Sequence, residues 1–246
     1  MTYLAEVEYP DAKRFSDLFS ALSNVLDEVL LRFTESGITA GGLDPARMAY
    51  IELEIPKSAT RHFSLEQEAA AGVNLNVLRE ILKGKAGRPI LIRVSHEEVE
   101  LEWEEETRRK YVMPNLEVQQ ETVAPKASYS AKVGIMGDVL VKALKDVEVI
   151  SDLVELEAGE GGLTIRAPES KGRATITIGR GSAALILLEV EKTAKGVYDI
   201  GYIKKILGLA RLTQSLTLSL SSGGPLEIVM SSLDGTKLRY VLAPAV

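Results

Sequence analysis

Few folds are open to a chain that writes the same unit twice, and this one does so at an offset of 125 residues. Gly37-Ile38-Thr39 falls on Gly162-Leu163-Thr164, and Ile51 and Leu53 fall on Ile176 and Ile178. The run Asn74-Leu75-Asn76-Val77-Leu78-Arg79-Glu80-Ile81-Leu82 falls on Asp199-Ile200-Gly201-Tyr202-Ile203-Lys204-Lys205-Ile206-Leu207. Each half closes alike, on Arg109-Lys110-Tyr111-Val112-Met113-Pro114 and on Arg239-Tyr240-Val241-Leu242-Ala243-Pro244. We read two homologous domains, 1–113 and 128–246, joined by a connector over 114–127. That connector is polar, bounded by Pro114 and Pro125, and free of helical or alternating periodicity, as a surface crossing should be.

Both halves follow one order of elements. An alternating strand (Tyr3, Ala5, Val7, Tyr9) precedes an amphipathic helix whose apolar stripe is Phe15, Leu18, Phe19, Leu22 and Leu26. The counterpart stripe is Val139, Leu140, Ala143, Leu144 and Val147. Alternating runs follow at Val29–Phe33 and Met48–Ile55. A second helix starts after Asn74 or Asp199, both good N-caps. A hairpin then pairs Ile90–Val94 with Val99–Trp103, and Leu216–Leu220 with Leu226–Met230. The expected fold class is α+β: two similar domains of antiparallel sheet, each with two helices.

Composition narrows the chemistry. The chain has no cysteine, which removes disulfides, thiolate nucleophiles and zinc–thiolate sites, and only two histidines, His62 and His96, both among charged neighbours. No metal site and no cofactor are expected. The longest apolar run is about six residues, Ala183–Leu188, far short of the roughly 20 that span a bilayer. Met1–Glu6 has no basic region leading into an apolar stretch, so a secretory leader is not expected. Gly179-Arg180-Gly181-Ser182-Ala183-Ala184 has the spacing of a dinucleotide loop, but the residues after it alternate as a strand, so it reads as a turn. Gly84-Lys85-Ala86-Gly87-Arg88 reads as a helix stop, and no Gly-x-Ser-x-Gly elbow occurs. Residues 97–106 hold seven glutamates, of which Glu100, Glu102 and Glu104 alternate with Val99, Leu101 and Trp103. A carboxylate pair for acid–base work is one reading; the wet face of a half-buried strand is the better one. The chain is not expected to be an enzyme.

Net charge, −6 with a sequence pI near 5.2, taken alone argues against nucleic acid. Its distribution says otherwise. With the four helices taken as 11–24, 74–85, 137–147 and 199–211, they carry Lys13, Arg14, Arg79, Lys83, Lys85, Lys142, Lys145, Lys204, Lys205 and Arg211 against six acidic residues. The helical part is then +4 and the remainder −10.

The sequence resembles a sliding clamp of the PCNA family in its archaeal form. The likeness rests on Glu35-Ser36-Gly37-Ile38, Leu43-Asp44-Pro45-Ala46-Arg47-Met48-Ala49-Tyr50-Ile51-Glu52-Leu53, Gly72-Val73-Asn74-Leu75, Ile81-Leu82-Lys83 and Lys237-Leu238-Arg239-Tyr240-Val241-Leu242-Ala243-Pro244. It covers essentially the whole chain. It implies a non-enzymatic processivity factor for DNA replication and repair, acting in the nucleoid and cytoplasm of an archaeal cell. Three subunits, identical or sister, would form a ring whose helices face duplex DNA and touch phosphates without reading bases. The basic helix residues above are the implied DNA contacts, with Lys83, Lys142 and Lys145 matching the family most directly. The first helix departs from the family, with Ser16, Asp17 and Ser23 at positions commonly lysine. A peptide pocket for DNA polymerase, flap endonuclease, DNA ligase and clamp loader is implied at Leu43, Met48, Val123, Pro225, Ala243 and Pro244. Val241 and Glu121 depart from the family there. Subunits would join edge to edge, strand 108–113 on strand 174–179 of the next, through Arg109, Tyr111, Met113, Thr175, Ile176 and Ile178. The alternative from the residues is a two-domain scaffold that docks proteins without encircling DNA.

Overall fold

The structure is a computed structural model and describes residues 2–84, 87–119, 126–168, 172–211, 213 and 215–245. The chain divides into two compact units. The first comprises Met1–Pro45, Ile51–Val123 and Ser232–Leu238; the second comprises Ala46–Tyr50, Ala124–Ser231 and Arg239–Val246.

The first unit runs β1 (Ala5–Tyr9), α1 (Ala12–Ser23), β2 (Glu28–Thr34), β3 (Gly37–Leu43), β4 (Ala49–Pro56), β5 (His62–Leu65), β6 (Ala69–Asn74), α2 (Leu75–Leu82), β7 (Ile90–Val94), β8 (Glu98–Glu104) and β9 (Arg108–Pro114). The second runs β10 (Ala131–Met136), α3 (Gly137–Glu148), β11 (Leu153–Gly159), β12 (Gly162–Arg166), β13 (Thr175–Gly179), β14 (Leu185–Val190), β15 (Ala194–Asp199), α4 (Ile200–Leu207), β16 (Ser215–Leu220), β17 (Leu226–Ser231) and β18 (Lys237–Leu242). The division between units falls within β4 and β18. Strand orders repeat as well: β5-β1-β7-β8-β9 recurs as β14-β10-β16-β17-β18, and β4-β3-β2-β6 as β13-β12-β11-β15.

The duplication extends to register and backbone conformation. Val7 lies opposite Ile92, and Ile92 opposite Leu101; Val133, Leu218 and Ile228 make the same row in the second unit. All six are buried, because alternation turns one face of each strand inward. Gly37 and Gly162 open equivalent strands with φ of 139° and 130°. A Cβ on either would strike the carbonyl oxygen of the facing strand, Ile55 or Ile178, so only glycine fits. Asn74 and Asp199 cap α2 and α4, accepting from the Val77 N–H (3.0 Å) and the Tyr202 N–H (3.1 Å).

The expected α1 stripe is buried in full, and Tyr9, Phe15 and Phe19 stack in series with centroid separations of 5.5 and 4.3 Å. In α3, Leu140, Ala143, Leu144 and Val147 are buried while Val139 is only half-buried. Fully burying such side chains stabilises by about 1.5–3 kcal/mol each. Gly84, at φ 69°, stops α2 as expected, and residues 179–184 form a turn closed by a bond from the Ser182 N–H to the Gly179 carbonyl (2.8 Å).

Two expectations need correction. First, α2 ends at Leu82, leaving Lys83 as its C-cap, and α4 ends at Leu207, followed by a 3₁₀ turn over Gly208–Arg211. Arg211 is therefore off the α-helix. With these bounds the four helices hold seven basic and five acidic residues, a net +2 rather than +4. Second, Glu100 is buried on β8 rather than wet. β5 and β6 carry no legible period in the sequence; the Ala69-Ala70-Ala71-Gly72 run pairs with β2, and the missing side chain of Gly72 leaves room for the Leu116 carbonyl.

Candidate DNA, subunit and peptide interfaces

The helix faces were the first candidates for polyanion contact. On α1, the exposed Lys13 ammonium lies 3.0 Å from Asp17, one turn on, which raises its pKa. Arg14 turns away from it to Asp234 (3.1 Å), in the turn between β17 and β18. Asp234 also accepts from Ser232 Oγ (2.8 Å) and the Thr236 N–H (2.9 Å). Burial pushes the Asp234 carboxyl up, but these donors and Arg14 outweigh it and hold it below its usual value. On α2, Arg79 reaches Ser23 Oγ (3.4 Å) on α1, and Lys83 lies 3.5 Å from Glu80. Lys85 lies outside the described residues.

On α3, Lys142 is exposed, 3.8 Å from Asp138, while Lys145 is exposed and makes no ion pair among the described residues. On α4, Lys204 bonds Glu148 of α3 at 2.6 Å, and Lys205 sits 4.2 Å from the centroid of the Tyr202 ring. Lys145 and Lys204 border one groove of about 240 Å³, with Val141, Leu144, Leu207 and Gly208 around it.

The edge strands were the second candidates. Among the described residues β9 pairs with β8 and has no partner on its other side; β13 likewise pairs only with β12. On β9, Tyr111 and Val112 are exposed, with Tyr111 stacked on Trp103 at 5.2 Å. Met113, expected at the junction, is instead buried in its own unit, as is Ile178 on β13. Alternation explains both: Met113 and Ile178 fall on inward positions of their strands, leaving Val112, Thr175 and Thr177 outward and Ile176 half-buried.

A charge network backs β9, and the sequence pattern did not reveal it. Glu100 accepts from Tyr3 (3.0 Å), Arg93 (2.7 Å) and Lys110 (2.6 Å). Arg93 also reaches Glu6 (2.7 Å) and Glu102 (3.2 Å), while Arg108 bonds Glu102 (2.6 Å) and Arg109 lies 3.2 Å from Glu105. Burial pushes the Glu100 carboxyl up; the bonds from Lys110, Arg93 and Tyr3 together hold it below the usual range. The signal was the sheet register, which sets Arg93 opposite Glu100 and Lys110 opposite Glu102. The second unit has a smaller version, Glu227 with Arg239 (3.0 Å). There, burial, with Glu227 adding, pushes the Tyr129 phenol up to about 12.

The peptide-pocket candidates separate. In the second unit the Ala243 N–H donates to the Met48 carbonyl (2.8 Å), and the Ala245 N–H to the Val197 carbonyl (2.8 Å). Pro225 follows Gly224, whose carbonyl accepts from the Tyr198 hydroxyl (3.0 Å). Met48, Ala243, Pro244 and Pro225 are thus half-buried around β15. Leu43, half-buried, ends β3 in the first unit, and Val123 lies outside the described residues. Among the described residues no group of His, Cys, Asp and Glu is arranged to hold a metal ion, and no helix is long and apolar enough to cross a membrane.

Two tandem copies of one α+β unit, with an unpaired edge strand in each and lysines along the helices, define a clamp-type fold. The family model described as "Proliferating cell nuclear antigen, N-terminal domain" matches residues 4–121. A "DNA polymerase sliding clamp 1" from Aeropyrum pernix is 37% identical over 242 residues, covering 96% of this chain and 98% of that protein. Another, from Thermococcus kodakarensis, is 30% identical over 98% of both. The fold matches a crystal structure of PCNA from Thermococcus kodakaraensis with a TM-score of 0.91 at 21% identity, over 98% of this chain and 100% of that one. It also matches a PCNA2–PCNA3 complex from Sulfolobus tokodaii with a TM-score of 0.88, over 97% and 98%. The chain belongs to the PCNA family of DNA polymerase sliding clamps.

Proposed function

We propose that this chain works as a sliding clamp by closing, head to tail with further copies of itself, into a three-subunit ring around duplex DNA. The pair of unpaired edges carries this reading. Among the described residues β9 and β13 each pair on one side only, so pairing them between subunits would cover both edges. Their chemistry suits one another. The three cations of β9 are neutralised by glutamates of their own unit, and β13 (Thr175-Ile176-Thr177-Ile178-Gly179) bears no charge. Neither edge then needs a charged complement, and Tyr111, Val112 and Ile176 supply apolar area.

The ring acts by topology rather than by bond chemistry. It retains itself on the duplex and raises the effective concentration of a bound polymerase at the primer end. DNA polymerase, flap endonuclease, DNA ligase and clamp loader would dock short peptides at Met48, Pro225, Ala243 and Pro244. The domain boundaries at 113/114 and 127/128 belong to the same reading. Light scattering on the purified chain tests closure. A mass near three times 26.7 kDa, and retention on closed circular but not on linear DNA, are the expected results. A persistent monomer ends the self-closing reading, and equal loss from circular and linear DNA ends encirclement.

A further inference from the structure

We propose, resting on the clamp reading, that the glutamates of β8 and the turn after it are what allow β9 to pair with a neighbouring subunit, with Glu100, Glu102 and Glu105 as positioning residues. By composition β9 should refuse a partner. It carries three successive cations, Arg108-Arg109-Lys110, and charges on an edge strand, lysine above all, are a common device that keeps a second strand from adding to it. The edge it would meet offers no compensation. β13 has no charged residue, and the described residues flanking it include two more cations, Arg173 and Arg180. An unneutralised β9 would therefore bring like charge to the joint.

The fold turns each of the three cations back onto its own unit. Arg108 and Lys110 share one face of β9, and the register sets them opposite Glu104 and Glu102. Neither bonds its direct opposite. Arg108 reaches Glu102 (2.6 Å) and Lys110 reaches Glu100 (2.6 Å), each the carboxylate two residues along β8. Both side chains thus lie diagonally across β8, away from the side of β9 that has no partner among the described residues. Arg109, on the other face, lies 3.2 Å from Glu105 in the turn between β8 and β9. On the far side of β8, Arg93 bonds Glu100 (2.7 Å) and Glu102 (3.2 Å) and continues to Glu6 on β1 (2.7 Å). Arg93, Arg108 and Lys110 are matched by Glu6, Glu100 and Glu102, and Arg109 by Glu105, so the cluster carries no net charge. Glu100 and Glu102 are nearly buried while Arg108 and Lys110 are at least half-exposed. The carboxylates are therefore the fixed points, and the cations are the groups that would swing over the edge if released.

The test is self-association of the purified chain, followed by light scattering over a dilution series at several salt concentrations. The wild-type association constant should change by less than about threefold up to about 1 M sodium chloride, where the screening length falls to about 3 Å. Glu102→Gln releases Arg108 while Arg93 keeps Glu6 and Glu100. It should weaken association about five- to tenfold at low salt, and the loss should shrink to about twofold at high salt, as the exposed charge is screened. Adding Arg108→Gln should restore association at low salt, because the edge is neutral again. Rescue and salt dependence are readouts that a carboxylate with a merely structural role would not give. Glu105→Gln, with Arg109→Gln as its rescue, repeats the test outside the sheet, where folding is least at risk. The proposal is overturned if both glutamine variants associate like the wild type at low salt, or if their loss is equal at every salt concentration. It is overturned as well if either variant associates more tightly, the released cation having found a carboxylate on the neighbour. A wild type that weakens about tenfold or more with salt also overturns it, since ion pairs then cross the joint. A wild type that stays monomeric at every salt concentration ends the self-closing reading and this proposal with it, whereas a ring indifferent to Glu102→Gln and Glu105→Gln ends this proposal alone.

Discussion

The two units share strand order, register, capping residues and even the left-handed glycines, yet they handle charge differently. In the first unit the ions are gathered on the five-stranded sheet, where Arg93 binds three glutamates and Lys110 a buried one. Its helices are left with cations that are paired or diverted. In the second, Ser219 faces Glu227 where Arg93 faces Glu100, so that sheet keeps one Arg–Glu pair. A network forms instead on β11, β12 and β15, where Arg166 binds Glu155 and Glu157 and Lys195 binds Glu155. Four of its lysines, Lys142, Lys145, Lys204 and Lys205, lie on the helices, and Lys145 makes no ion pair among the described residues. Duplication copied the packing, and the copies then placed their ion networks on different sheets. Packing tolerates little change because a core is dense, whereas a surface charge can move at a cost below about 1 kcal/mol.

Breaking the shared packing should have the largest effect, and about equally in both units. Phe19→Ala in α1 and Leu144→Ala in α3 each remove a fully buried side chain and should cost about 3–5 kcal/mol in denaturant unfolding. A much smaller loss in one unit would mean that its core relaxes more than the symmetry suggests. Gly37→Ala and Gly162→Ala should each cost about 2–3 kcal/mol, through left-handed backbone strain and the clash with the facing carbonyl.

Breaking the sheet networks should separate the units. Glu100→Gln leaves Lys110 and Arg93 facing an uncharged partner and should cost about 3 kcal/mol. Glu227→Gln, with one cation at stake, should cost about half as much. The networks also set the acid limit. The folded-state pKa of Glu100 is depressed, so its contribution is fully present above the unfolded value of about 4.5 and is lost as pH falls through the lower folded value. Thermal melts of the wild type should therefore fall below about pH 4.5, and Glu100→Gln should flatten that fall. At the alkaline end the sign reverses for phenols. Burial raises Tyr198 to about 12, and burial with Glu227 does the same for Tyr129, so stability present below pH 10 is lost as these groups ionise toward pH 12. Tyrosinate absorbance should appear together with unfolding of the second unit. The smallest effect belongs to the caps: Asn74→Ala and Asp199→Ala should each cost about 1 kcal/mol, with Asp199→Asn nearly silent.

The apolar stripes of the first helices and both terminal hairpins were legible because periodicity and burial are the same fact seen twice. β6 was illegible: its alanines show no period, and only the ladder with β2 makes them a strand. Charge was the least legible feature. Helix ranges three residues too long at α2 and four at α4 took in Lys83, Lys85 and Arg211; with Asp11 and Asp199 also counted and Glu148 left out, +2 became +4. Glu100 read as solvated because strand alternation tells faces apart but cannot say that the outer face carries a cationic partner. Arg14 and Lys145 look alike in sequence. Only the fold brings Asp234, 220 residues away, to one of them.

The duplication, the α+β class, the helix caps and the family can all be read along the chain, since they rest on spacing and local propensity that survive without coordinates. Which cations are spent on the protein and which are left for a partner emerged only from the folded chain, as did the strand edges that stay unpaired. Those outcomes depend on residues far apart in sequence lying within a few ångströms, and no periodicity along one chain records such a distance.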